Sequence, residues 1–64
     1  MNIATQYTYE NKWTSTSDRE ALRMINEEMP EADAEATLSY IISEISRGKT
    51  ITLGSCRFKK ESKS

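Results

Sequence analysis

Three kinds of side chain in this sequence could do chemistry: one thiol, a run of carboxylates, and a cluster of ammonium and guanidinium groups. Histidine is absent. That removes the commonest general base and metal ligand, and with it the Ser-His and Cys-His nucleophile arrangements. The thiol is Cys56, and the alternation Cys56-Arg57-Phe58 turns it to the same side as Phe58. In a core position of that kind a thiol is inert. The carboxylates Glu27, Glu28, Glu31, Asp33 and Glu35 would suit a hard cation, but the stretch MPEADAEATL lacks the central Gly and the ligand spacing of a calcium loop. A paired-carboxylate hydrolase needs a cleft that 64 residues scarcely form. These acids read as a solvated helix corner. The sharper alternative, a surface imitating nucleic-acid charge, would demand more acids than are present. The sequence thus implies no catalytic residue, no metal, no cofactor and no small-molecule substrate.

The basic residues are more suggestive. Arg47, Lys49, Arg57, Lys59, Lys60 and Lys63 gather near the C-terminus. Of these, Lys49, Arg57, Lys59 and Lys60 are the candidate nucleic-acid contacts, on a two-stranded ribbon whose outward Thr52, Arg57 and Lys59 would meet phosphates or base edges. Lysine on an outer strand is equally the ordinary defence against edge-to-edge aggregation. The aromatic residues Tyr7, Tyr9, Trp13 and Tyr40 form the candidate protein-binding set, since exposed aromatics anchor interfaces and also offer platforms on which bases stack. Packing onto the helices is the competing role for the first three. Tyr40 falls at the border of a buried helical stripe, where a dimer contact is conceivable.

The elements that must position these groups follow from periodicity. Ala34, Leu38, Ile41 and Ile45, widened by Ile42, recur on one stripe of a helix, which Gly48 ends in the C′ position. Arg47 and Lys49 complement the negative end of its dipole. Its start is open between Pro30 as first residue and Asp33 as cap. An earlier helix begins with Ser17-Asp18-Arg19-Glu20, a capping-box pattern, runs about eleven residues, and stops at Pro30. Ala21, Leu22, Ile25 and Met29 make its inner stripe, with Met24 on the flank.

Residues 3–9 alternate as a strand, with Ile3, Thr5, Tyr7 and Tyr9 on one face, and Trp13–Thr16 form a second. A three-residue loop between them sets Tyr9 opposite Trp13 and Tyr7 opposite Ser15. It requires Asn11 or Lys12 in the left-handed conformation. After Lys49 the period returns to two. Gly54-Ser55 suits a type II′ turn that pairs Leu53 with Cys56 and Ile51 with Phe58, all on one face. Thr50, Thr52, Arg57 and Lys59 look outward.

The expectation is therefore one α+β domain over residues 1–64, a small β-β-α-α-β-β fold with antiparallel hairpins packed against a two-helix pair, and a tail fraying from about residue 61. Whether the hairpins join in one sheet is open. A core this small rarely yields more than about 3–5 kcal/mol of net stability, so a homodimer is a live expectation. The 36% hydrophobic content is low beside 30% charged residues, but its periodicity argues for a fold rather than disorder. Charge is lopsided. Residues 18–44 hold eight acids against Arg19 and Arg23, a balance of −6, whereas residues 45–64 carry +5. No apolar run approaches the roughly 18–20 residues of a membrane span, the start of the chain lacks a signal-peptide pattern, and a lone cysteine suits a reducing compartment. The expected molecule is cytoplasmic, with no membrane contact.

These features favour a non-enzymatic interaction module that binds another protein, or itself as a homodimer. The alternatives are a nucleic-acid-binding protein using the basic C-terminal hairpin, and an oligomeric assembly component.

Overall fold

The computed structural model describes residues 2–61. Four strands and two helices follow in the order β1 (Ile3–Tyr7), β2 (Thr14–Thr16), α1 (Asp18–Glu28), α2 (Ala34–Ile45), β3 (Ile51–Leu53) and β4 (Cys56–Lys60). All pairings are antiparallel, and the strands make one sheet in the order β2-β1-β4-β3. The hairpins are therefore joined through β1 and β4, the first and last strands of the chain. This closes the question left by the sequence: one sheet, with both helices on one face.

The second hairpin forms in the expected register, Leu53 opposite Cys56 and Ile51 opposite Phe58. Gly54 takes φ +59 while Ser55 does not adopt positive φ, which fits a type II′ turn and excludes type I′. The turn is also tied to the helix layer beneath it. Glu28, at the end of α1, accepts hydrogen bonds from the Ser55 amide at 2.9 Å and the Ser55 hydroxyl at 3.1 Å. One of the supposedly solvated carboxylates thus clamps the β3–β4 turn to the helix layer.

The first hairpin departs from expectation. Its register is Ile3 opposite Thr16, Ala4 opposite Ser15 and Thr5 opposite Thr14, three residues away from the pairing that set Tyr9 against Trp13. Outside glycine, none of the described residues has positive φ, so Asn11 and Lys12 do not make the tight loop. Instead β1 ends in a turn: the Glu10 amide donates to the Tyr7 carbonyl at 2.9 Å, and the Tyr7 amide donates to the Glu10 carboxylate at 3.0 Å. The Thr8 amide is taken by the Ser55 carbonyl. With the end of β1 committed to β4, residues 8–13 become the connection. Tyr9 leaves the strand, and Trp13 lands immediately before β2. Because side chains alternate along a strand, the three-residue shift puts Trp13 on the opposite face from Tyr7.

Helix α1 starts where expected, with the Ser17 hydroxyl accepting from the Glu20 amide at 3.2 Å. The reciprocal half of the box gives way to Arg23, whose guanidinium bridges Glu20 and Glu27. Met24 belongs to the core, whereas Leu22 and Met29 are only half-buried, so the inner stripe is rotated from the expected one. Helix α2 is capped by Asp33, whose carboxylate accepts from the Ala36 amide at 3.1 Å, and Pro30 lies in the connection. Its C-cap is Ser46, so Gly48, with φ +89, stands one residue beyond C′.

The core lies between layers. Phe58 and Ile3 from the central strands meet Ala21, Met24 and Ile25 of α1 and Leu38, Ile41 and Ile45 of α2, with Cys56 beside them. Each is withdrawn from water, worth roughly 25 cal/mol per Å² of apolar surface. The tail expected to fray begins at about Glu61, whose amide donates to the Asn2 carbonyl and whose carboxylate accepts from the Ser15 hydroxyl. The rest of the tail, with Lys63, lies outside the described residues.

Candidate functional site

Among the described residues, no further helix or strand covers the face of the sheet away from the helices. The registers place two cross-strand rows on it: Thr52, Arg57 and Gln6, with Trp13 continuing the row beside β2; and Lys59, Ala4 and Ser15, with Thr50 beside β3. This follows from alternation, since Cys56, Phe58, Ile3 and Thr5 take the other face.

The small side chain of Ala4 organises the surface. It separates Lys59 on β4 from the Trp13 side of the sheet, and Lys59 reaches over β1 to hold its ammonium 4.4 Å from the centroid of the Trp13 ring. A cation over an indole in such a half-exposed setting contributes about 0.5–1 kcal/mol. Ala4 is only 3% exposed although no helix covers it, as a methyl group beneath a lysine stem and an indole would be. In the neighbouring row Arg57 donates from Nη1 to Gln6 Oε1 at 3.0 Å. Gln6, itself 6% exposed, anchors one nitrogen of the guanidinium, whose remaining N–H donors suit an oxyanion. At the rim the Ser15 hydroxyl donates to Glu61 at 3.0 Å. The result is a polar face with an indole, an ammonium and an oriented guanidinium together.

The sequence-derived sets are redistributed. Of the four candidate nucleic-acid contacts, Arg57 and Lys59 share this face. Lys60 is turned to the other side by alternation, opposite Ile3. Lys49, in the α2–β3 connection, is 3.3 Å from the Glu44 carboxylate. The four aromatic candidates do not assemble. Tyr7 packs on the edge of the core and stacks with Tyr9 at 5.3 Å between ring centroids. Burial, with the nearby Cys56 and Glu27, pushes the Tyr7 phenol above its ordinary value. Trp13 is across the sheet from them. Tyr40 stands on α2, 60% exposed, well outside the buried stripe whose border it was expected to mark. Sequence reasoning missed Ala4 and Gln6; the only available signal was the alternation of β1, which places both on the face opposite Ile3 and Thr5.

Cys56 lies in the core as expected. Burial raises its thiol pKa, Glu28 adds to the shift, and the Ser55 hydrogen bond opposes it. Among the described residues no group of three Cys, Asp or Glu side chains is placed to hold a metal ion, and no helix is long and apolar enough to cross a membrane. Family models, curated proteins and solved structures give no match to this chain. The assignment therefore rests on the geometry of the open face.

Proposed function

We propose that this protein is a non-enzymatic module that binds nucleic acid through the open face of its sheet, in the cytoplasm. The observation that carries the reading is the convergence of Trp13, Lys59 and Arg57 on one uncovered surface. The acids of α1 and α2 belong to the opposite layer. An anionic polymer would then be drawn to the sheet and repelled from the helices, which selects one face by electrostatics. A guanidinium anchored through Nη1 by Gln6 keeps further N–H donors for a phosphate. The absence of histidine and the burial of the one thiol weigh against an enzyme.

The test is retention of single-stranded and duplex oligonucleotides across salt. Arg57 and Lys59 supply about two phosphate contacts, so a single strand should give a log–log salt slope of roughly −1.4. Arg57→Glu should abolish retention at low salt, whereas Lys60→Ala should weaken it less than Lys59→Ala does. If no oligonucleotide is retained at low salt, the proposal fails.

A second reading keeps the protein partner. Tyr40 is exposed near the middle of α2 beside Ala36, Ser39 and Ser43, an uncharged strip in a highly charged chain. We infer that self-association uses that face. Sedimentation across dilution would then report a dimer that Tyr40→Arg dissociates and that is indifferent to salt and nucleic acid.

A further inference from the structure

Resting on the nucleic-acid reading, we propose that the ligand is a single strand and that Trp13 is a base-stacking platform which Lys59 covers in the free protein and uncovers on binding. Three features of the open face lead there. First, Lys59 sits over the indole ring on a flexible four-carbon stem, so its ammonium can leave the ring for a phosphate without any change in the backbone. A base then takes the vacated face; stacking is the stronger contact of the two. Second, Trp13 is half-exposed and stands outside the core cluster, so the ring can change partners without disturbing the packing. Third, Ala4 leaves a shallow floor between Trp13 and Lys59, and Gln6 holds Arg57 in the adjoining row. One base and its flanking phosphates would span indole, ammonium and guanidinium.

A duplex fits this surface poorly. Its base faces are hidden, so the indole would have nothing to stack on. The hairpin of β3 and β4 cannot enter a groove as a free ribbon, because β4 is paired on both sides and the turn is clamped to α1 through Ser55 and Glu28. Four strands spaced about 4.8 Å apart span about 14 Å between the outer two, more than the roughly 12 Å width of a major groove.

Trp13 is the sole tryptophan, so its fluorescence reports this site alone. The experiment titrates the full chain with oligothymidylate, with an abasic deoxyribose-phosphate oligomer of the same length, and with a duplex, following both Trp13 emission and affinity. Oligothymidylate should quench Trp13 and bind more tightly than the abasic oligomer or the duplex, whereas the abasic oligomer should give only the emission shift that the departure of Lys59 produces, the shift seen in Lys59→Ala without ligand. Trp13→Ala should weaken oligothymidylate binding about tenfold or more while keeping its salt dependence, and Trp13→Phe should restore most of it. If oligothymidylate binds with unchanged Trp13 emission and Trp13→Ala binds as the parent does, the stacking inference is wrong while the phosphate-binding face stands. Tighter binding of the duplex would also overturn it. Absence of binding by all three probes at low salt would remove both proposals.

Discussion

Replacing Glu28 with Ala should remove about half the stability of the domain. The carboxylate accepts two hydrogen bonds from Ser55, one from a backbone amide and one from a hydroxyl, both part-buried. Hydrogen bonds to a charged group contribute about 1.5–3 kcal/mol each in net terms, and an amide left without a partner in a half-buried site costs about 1–3 kcal/mol. Water can reach part of this turn, so each bond falls to the ordinary value of about 1 kcal/mol rather than the charged-group range, and the combined loss should be about 2 kcal/mol. Against a total of roughly 3–5 kcal/mol for a core of this size, that is a fall in melting temperature of about 10 °C. Gly54→Ala provides the cross-check. Its Cβ would run into the Glu28 carboxylate, and φ +59 is strained for alanine, so the clamp must swing away and its bonds are lost along with about 1–2 kcal/mol of backbone strain. The two changes share one mechanism. In the Glu28→Ala background, Gly54→Ala should therefore cost less than in the parent chain, by about the worth of the clamp. Urea unfolding followed by far-ultraviolet circular dichroism measures all four species. A loss below about 0.5 kcal/mol for Glu28→Ala, the size of an ordinary surface change, or strict additivity with Gly54→Ala, would show that the turn stands without the helix.

Phe58→Ala should leave the chain unfolded at ambient temperature, because a cost of about 3–5 kcal/mol for a fully buried phenylalanine equals the whole stability; a native circular-dichroism spectrum would contradict the two-layer core. The Cys56 thiol should resist a disulfide reagent in the native state and react at once in denaturant. Its pKa is raised by burial, as is that of Tyr7, so the folded state holds these protons more tightly than the unfolded chain. Their contribution is complete below the unfolded thiol pKa of about 8.5 and is lost as pH rises through the folded values, so urea midpoints should fall on the alkaline side, first for Cys56 and then for Tyr7. Asp33→Ala, which removes the cap on α2, should cost about 1 kcal/mol, seen as an equal shift in the unfolding free energy. Ala4→Leu should separate Lys59 from Trp13 and shift the emission of the free protein while the core melts as before; unchanged emission would mean that Ala4 is not the floor beneath them.

The parts of the fold that can be read in the sequence are those fixed by local chemistry. Ser17 caps α1, Gly54 makes its turn, and the alternation after Lys49 pairs Leu53 with Cys56; each depends on residues at most a few positions apart. The first hairpin could not be read in the same way because its register is not its own. The amide of Thr8 belongs to Ser55, and β1 pairs with β4 along its whole length, so a partner some fifty residues away decides where β1 ends and how long its loop to β2 must be. Aromatic pairing across a tight loop pointed the other way and lost. The same contest explains the candidate site: Arg57 and Lys59 were visible as outward residues of a hairpin, but their neighbours Gln6 and Trp13 reach them only through the long-range β1–β4 pairing and a register that the local sequence does not specify.

That long-range pairing also ties binding to folding. The two residues that hold the cations in place, Gln6 and Ala4, lie on β1, and the cations themselves lie on β4; neither hairpin alone contains the site. The pairing of β1 with β4 rests in turn on Ile3 and Phe58, which turn to the opposite side of the same strands and bury themselves against α1 and α2. Alternation couples the two faces: a slip of one residue in β4 that exposed Phe58 would also turn Arg57 and Lys59 toward the helices. A chain that has formed its core has therefore formed its open face, and substitutions that loosen the core should weaken oligonucleotide binding only in proportion to the unfolded fraction they create, with the affinity of the folded fraction unchanged. Ile25, buried in α1 and distant from the open face, is the position at which to measure this. Ile25→Val should cost about 0.5–1.5 kcal/mol and leave binding per folded molecule as it was, whereas Gln6→Ala should leave stability nearer the parent's and lower affinity directly. If Ile25→Val weakened binding of the folded molecule as much as Gln6→Ala did, the open face would not be the surface that binds.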